Sequence, residues 1–98
     1  MSPNNGYITD NATQVVYTLP SVAAQGTLLE VCGGVLGVGG WKIAQNALQS
    51  IKFNSSSTTV GTGGSLTSTE QYDTIRLLCI VANTTWTVLG NEGNITVV

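Results

Sequence analysis

No histidine occurs in the 98 residues, and charge of either sign is scarce. Three Lys and Arg face five Asp and Glu, so charged residues make up 8%, where soluble domains usually carry about 25%. The absence of histidine removes the commonest general base and the commonest metal ligand. Two cysteines, Cys32 and Cys79, without imidazole partners do not make up a zinc site, and no metal or other cofactor is expected. The scarcity of charge, with a net −2, excludes the basic surface of a nucleic-acid binder. No run approaches the ~18 consecutive apolar residues of a membrane span, so membrane insertion is not expected. Two prolines and 42% hydrophobic residues do not describe a disordered chain. Ala, Glu, Lys and Leu are too few for a coiled coil.

Thr, Ser, Asn and Gly stand where the charge is missing. Thr, Val, Ile, Ser and Asn favour strands, caps and turns over helix interiors, and Gly and Asn cut the chain into short pieces. Thr13 to Leu19 reads as a strand ended by Pro20, which cannot donate to a ladder. Thr27 to Cys32 reads as another, with Leu28, Glu30 and Cys32 on one face and Leu29 and Val31 on the other. The run from Gly33 to Gly40 is too rich in glycine for regular structure and reads as a loop.

Trp41 to Phe53 admits two readings. Ile43, Ala44, Ala47, Leu48 and Ile51 match a helical stripe. Alternation of Trp41 and Ile43 with Lys42, and of Ile51 and Phe53 with Lys52, gives two strands around a turn at Asn46 to Leu48, and this reading is preferred. Asn54 to Ser57 is a turn, Thr58 to Val60 a short edge strand, and Gly61 to Ser65 a loop. Asp73 to Val81 is apolar on both faces and reads as a central strand covered from both sides. Thr85 to Leu89, a turn at Gly90 to Gly93, and Ile95 to Val98 complete two closing hairpins. The expected fold is all-β: a small sandwich or barrel of seven to eight short strands. Residues 13–98 form this domain. Residues 1–12 read as a lead-in, opening on Met-Ser-Pro-Asn-Asn as an engineered start on a piece cut from something longer. No basic-then-apolar stretch marks a secretory signal there.

Few residues carry chemistry. The glycine loops fit neither the P-loop nor the GxGxxG fingerprint. Cys32 and Cys79 are either buried thiols or a disulfide, which sequence alone does not decide. Asn11, Asn54, Asn83 and Asn94 open Asn-x-Ser/Thr triplets of a kind that arise by chance in such a composition. Trp41 and Trp86 fall in alternating strands and read as core anchors. Gln45, Asn46 and Gln49 either cap a surface turn or hydrogen-bond to their own copies across a symmetry axis, because buried amides must find partners. Asp10, Glu30, Glu70, Asp73 and Glu92 are scattered singly, and Asp73 is placed to cap a turn before its strand. No catalytic residue is assigned and no enzyme is expected, a glycosidase-like carboxylate pair being the remote alternative.

So little charge on so small a surface points to cover by another copy. The strings Val16-Tyr17-Thr18-Leu19-Pro20, Gly26-Thr27-Leu28-Leu29-Glu30-Val31, Gly40-Trp41-Lys42-Ile43-Ala44-Gln45-Asn46 and Gln49-Ser50-Ile51-Lys52-Phe53, followed by Gln71-Tyr72-Asp73 to Leu78-Cys79 and Thr85-Trp86-Thr87-Val88, carry a resemblance. In that order they resemble the C-terminal modules of trimeric phage tail fibres and of bacterial fibrous adhesins, including fibre tips of predatory bacteria. Ala47-Leu48 departs from the glycine-containing turn expected there. The resemblance implies a β homotrimer at the extracellular end of a bacterial surface fibre or virion tail fibre, with residues 1–12 leading in from a shaft. It implies adhesion to a cell-surface receptor such as a glycan in some members and simple trimer closure in others. Loops on a rigid β scaffold commonly carry recognition. The loops 33–40, 54–57, 61–65 and 90–94 are therefore candidates, with Asn54, Ser56, Thr62, Asn91 and Asn94 as polar contacts.

Overall fold

The alternating β-branched and aromatic runs all lie in strands, and no helix interrupts them. A computed structural model describes residues 1–98. The strands are β1 (Asn5–Thr9), β2 (Val15–Thr18), β3 (Leu28–Gly33), β4 (Trp41–Ala44) and β5 (Ser50–Phe53), then β6 (Ser56–Ser57), β7 (Ser65–Thr67), β8 (Thr74–Val81), β9 (Thr85–Glu92) and β10 (Thr96–Val97). They build a six-stranded sheet in the order β1-β3-β8-β9-β5-β6 and a four-stranded sheet in the order β10-β7-β4-β2. Both sheets are mixed: β1–β3, β2–β4 and β5–β9 run parallel and the remaining pairs antiparallel.

The core lies between the sheets. Leu29, Val31, Ile51, Ile75, Leu77, Cys79 and Trp86 face it from the larger sheet. Trp41, Ile43 and Leu66 face it from the smaller one, and Leu19, Ala23 and Ile95 close it from the connections. Both tryptophans are fully buried. The Trp41 indole N–H donates to the Asp73 carbonyl at 2.9 Å, while Trp86 Nε1 has no partner. Two strands around a turn replace the helical alternative at 41–53, and they belong to different sheets, so the turn is a crossover and not a hairpin.

Four expectations are corrected. There are ten strands, not seven or eight, because β6, β7 and β10 have two or three residues each, too short to show a period. β1 lies inside the stretch set apart as a lead-in, and pairs with β3 from Asn5↔Leu29 to Thr9↔Gly33. The chain closes with one hairpin, β8–β9. β9 continues through Gly90 to Glu92, and β10 joins β7 in the other sheet. Finally, β8 is central but covered on one face only. Ile75, Leu77 and Cys79 are buried, while Arg76 is exposed and Leu78 and Ile80 are half-buried. Two apolar faces on a strand require two covers, and this chain supplies one.

The crossover is held by amides buried inside the chain. Gln45 Nε2 donates to the carbonyls of Gln49 (2.7 Å), Thr59 (2.9 Å) and Gly61 (2.9 Å), and its Oε1 accepts from the Thr58 hydroxyl. Three carbonyls around one nitrogen fix which way the amide points. Gln49 Oε1 accepts from Asn46 N at 2.8 Å, and Gln49 Nε2 donates to the carbonyls of Pro20 (2.8 Å) and Asn83 (3.0 Å). Asn46 Nδ2 donates to the Leu19 carbonyl at 2.8 Å. The turn itself ends on Leu48, exposed and at φ +68°, a left-handed conformation that costs an L-residue roughly 1–2 kcal/mol.

Two stability predictions follow from this crossover. Gln45→Leu leaves the Thr59 carbonyl without its donor and the Thr58 hydroxyl without its acceptor, while the Gln49 and Gly61 carbonyls keep Gly61 N and Gly64 N. It is expected to lower the unfolding free energy by about 3 kcal/mol or more, at ~1–3 kcal/mol per buried orphan, read by urea denaturation. Leu48→Asn is expected to raise the thermal midpoint slightly, by relief of up to about 1 kcal/mol, because Asn tolerates this backbone region. A lowered midpoint would show that Leu48 makes a contact that outweighs its strain.

Candidate functional site

Along β3 and β8 the alternation that sends Leu29, Val31, Ile75, Leu77 and Cys79 inward leaves their neighbours on the opposite face of the sheet, where no element of the chain covers them. Three cross-strand rows can be read from the register. Ile8, Cys32, Thr74 and Glu92 form the first. Gly6, Glu30, Arg76 and Gly90 form the second. Leu28, Leu78, Thr87 and Lys52 form the third. Ile8 and Leu28 are exposed. Leu89 sits unpaired at the bulge between Val88 and Gly90 and is half-exposed.

The middle row carries the molecule's one ion pair, Arg76 Nε to Glu30 Oε1 at 2.8 Å, with both side chains about half exposed. Neither side chain makes any other hydrogen bond within the chain. Because Gly6 and Gly90 flank the pair, shallow cavities open beside it. One of about 260 Å³ is lined by Gly6, Ile8, Glu30, Cys32 and Thr74 among others. One of about 210 Å³ lies against Asn4, Asn5, Gly6, Leu28 and Glu30. One of about 180 Å³ lies against Thr74, Arg76, Gly90, Asn91 and Glu92. Chemically, this face mixes apolar side chains with the central Glu30–Arg76 pair and with Lys52 on β5 and Glu92 on β9.

A second apolar feature is the glycine loop between β3 and β4. Gly34 N donates to Thr9 O at 2.8 Å, Gly39 N to Asn11 O at 3.0 Å, and Leu36 N to Asp10 Oδ1 at 3.2 Å. Gln71 Nε2 clasps the Gly34 and Val35 carbonyls. A Cβ on Gly33 would fall 1.5 Å from the Gln71 carbonyl oxygen, so this close approach requires glycine. The loop is thus pinned, and it holds Val35, Leu36 and Val38 in solvent; Tyr72, next in sequence to the clasping Gln71, is also exposed. Beside it a polar cavity of about 270 Å³ is lined by Val38, Gly39, Gly40, Ser68, Thr69, Glu70 and Gln71.

The polar residues singled out in the loops do not converge. Asn54 and Ser56 lie at the β5–β6 hairpin on one sheet edge. Thr62 lies in the turn whose Gly61 N donates to Gln49 O, against the crossover. Asn91 is near the end of β9 and donates to the Gly93 carbonyl at 2.9 Å, and Asn94 follows, its carbonyl accepting from the Thr69 hydroxyl at 2.6 Å. All five side chains belong to exposed residues. Gln45 and Gln49 are buried and spend their amides within the chain, and Asn46 bonds Leu19. Of the partners these amides required, the chain itself supplies those of Gln45, of Gln49 and of the Asn46 amide nitrogen.

Cys32 and Cys79 are free thiols. Cys32 lies on the uncovered face and Cys79 in the core, on opposite sides of one sheet. Burial pushes the Cys79 thiol above its ordinary value, against the smaller pull of backbone hydrogen bonds at Asn83 and Val81, which keeps it protonated and inert. The signal for the uncovered face is legible in the sequence: Leu78 and Ile80 alternate with the core set, and a strand apolar on both faces asks for a second cover that the chain does not supply. Set against protein-family models, curated proteins and solved structures, the chain matches none.

Asp73 bears out the capping role read from sequence. Its buried carboxylate Oδ2 accepts from Thr69 N at 2.8 Å and Glu70 N at 3.0 Å, and a Cβ on Gly93, at φ +101°, would fall 1.9 Å from Oδ1. Asp73→Ala is expected to lose about 2 kcal/mol, in line with bonds to a charged acceptor, and Asp73→Asn less. Thermal unfolding of the two variants checks both the loss and its order.

Proposed function

We propose that the chain is a non-enzymatic fibre-tip domain that works as a homotrimer on the outside of a bacterial surface fibre or virion tail fibre, and mediates adhesion to a cell-surface receptor such as a glycan. The observation that carries this reading is the exposed apolar surface. Thirteen large apolar side chains are exposed, as many as the residues that fill the core. A domain this small with an uncovered sheet face is soluble at working concentration when another surface covers it. Closed rotational symmetry does so without leaving a face free to polymerise.

The pinned glycine loop supports the adhesive part of the reading, since recognition elements commonly project from rigid β scaffolds. A purely structural trimerisation cap is the second reading. It is favoured by the scatter of Asn54, Ser56, Thr62, Asn91 and Asn94 over separate parts of the surface, which leaves no convergent polar site among them.

Light scattering on the purified chain is expected to return three times the monomer mass across a dilution series. A stable monomer would overturn both readings. On an array of bacterial and host glycans the adhesin is expected to retain at least one class. Silence across the array with the trimer intact would leave the structural cap.

A further inference from the structure

Glycine inside a strand weakens it, and it commonly marks a place where another backbone or a ligand comes close. Gly6 and Gly90 occupy the two ends of the row Gly6–Glu30–Arg76–Gly90 on the uncovered face. Neither has a positive φ. A Cβ on Gly90 would meet nothing within 4 Å, and one on Gly6 would meet only Glu30 Oε2 at 4.0 Å. The chain's own packing and backbone therefore give no reason for glycine at either position, in contrast to Gly33 or Gly93.

The charges between the two glycines are equally incomplete. Arg76 uses Nε and leaves both terminal guanidinium nitrogens free, and Glu30 uses one carboxylate oxygen. The two sit on adjacent strands at the same height, so a rotation axis parallel to β3 and β8 brings Glu30 of one copy against Arg76 of the next. An axis perpendicular to the strands and lying in the sheet plane would instead set like charge against like. The same rotation brings Leu28 against Leu78, which are cross-strand partners in the third row.

The trimeric reading above sets the order of the axis. The sheet continues past Gly90 into β5 and β6, and the two glycines leave the space on either side of the charged pair open.

We propose that copies of this chain meet through the outer face of the six-stranded sheet around a three-fold axis parallel to β3 and β8. Glu30 of each copy pairs with Arg76 of the next in a ring of six charges, and Gly6 and Gly90, on either side of the pair, leave room for the neighbouring copy. The inference rests on the trimeric reading above and names its interface.

Charge reversal tests it. Glu30→Lys and Arg76→Glu are each expected to weaken the assembly by roughly ten-fold or more, because each sets like charges together in a desolvated ring. The double variant Glu30→Arg/Arg76→Glu is expected to restore it. Gly90→Val separates assembly from folding: valine suits a strand and has room in the single chain, so the thermal midpoint measured at dilution is not expected to fall, while the trimer mass is lost. A wild-type trimer indifferent to the single reversals and to Gly90→Val overturns this interface and leaves the trimeric reading standing. A wild-type monomer overturns both. A wild-type dimer that still obeys the charge swap overturns the three-fold but keeps the Glu30–Arg76 pairing.

Discussion

The Gln45 side chain decides where this chain can change sheets. Its amide nitrogen collects the carbonyls of Gln49, Thr59 and Gly61, and its oxygen takes the Thr58 hydroxyl, which in turn accepts from Ile51 N. One side chain thereby joins the end of β4, the start of β5 and the 58–61 return. Gln49 adds the Pro20 and Asn83 carbonyls from the connections before β3 and after β8. A crossover between packed sheets exposes backbone polar groups to an apolar interior, and those groups must be bonded or they cost the fold dearly. Two glutamines do this here at a place where no strand partner is available. The register of β4 against β7 and of β5 against β9 follows from where they hold the turn.

This clasp also explains which parts of the architecture could be read in advance. Alternation picked out β3 and β8 because each has one face in the core and its pattern is period two: Leu29 and Val31, then Ile75, Leu77 and Cys79. Trp41 and Trp86 were recognisable as anchors for the same reason. β6, β7 and β10 escaped because two or three residues hold no periodicity. They exist as partners for longer strands, and their pairing is decided at the tertiary level. β1 escaped because residues 1–12 read as a lead-in, and only the parallel β3 edge recruits Asn5 to Thr9. Gln45, Asn46 and Gln49 were recognisable as amides in need of partners. Whether those partners lay in the chain or in a copy depends on the path of residues 58–61, which no local pattern encodes.

The same limit separates a core face from an interface. Leu78 and Ile80 are as apolar as Leu77 and Cys79, and in sequence the two sets differ in nothing but phase. In the folded chain one set is sealed under the four-stranded sheet and the other is not. The open lateral edges deepen the problem. β1 and β2 are edge strands without a charged residue, proline or bulge between Asn5 and Thr9 or between Val15 and Thr18. Soluble proteins usually guard such edges with lysine, proline or irregularity. Leaving two strands unguarded alongside an apolar face is consistent with a protomer whose surface is completed by assembly.

Charge within such a face serves register better than strength. An isolated ion pair on a surface contributes little to stability, with a median near 0–1 kcal/mol, and desolvating it in an interface costs about as much as it returns. A leucine pair in place of Glu30 and Arg76 would bind as well and with less discrimination, because apolar surfaces slide and rotate past one another at small cost. The ion pair permits those arrangements that set opposite charges together and penalises the rest. In a chain with eight charged side chains in all, Glu30 and Arg76 stand side by side at the middle of the uncovered face, with Lys52 and Glu92 on β5 and β9, and in the proposed assembly the central pair acts as a positional key. The flanking glycines admit the backbone geometry that the key selects.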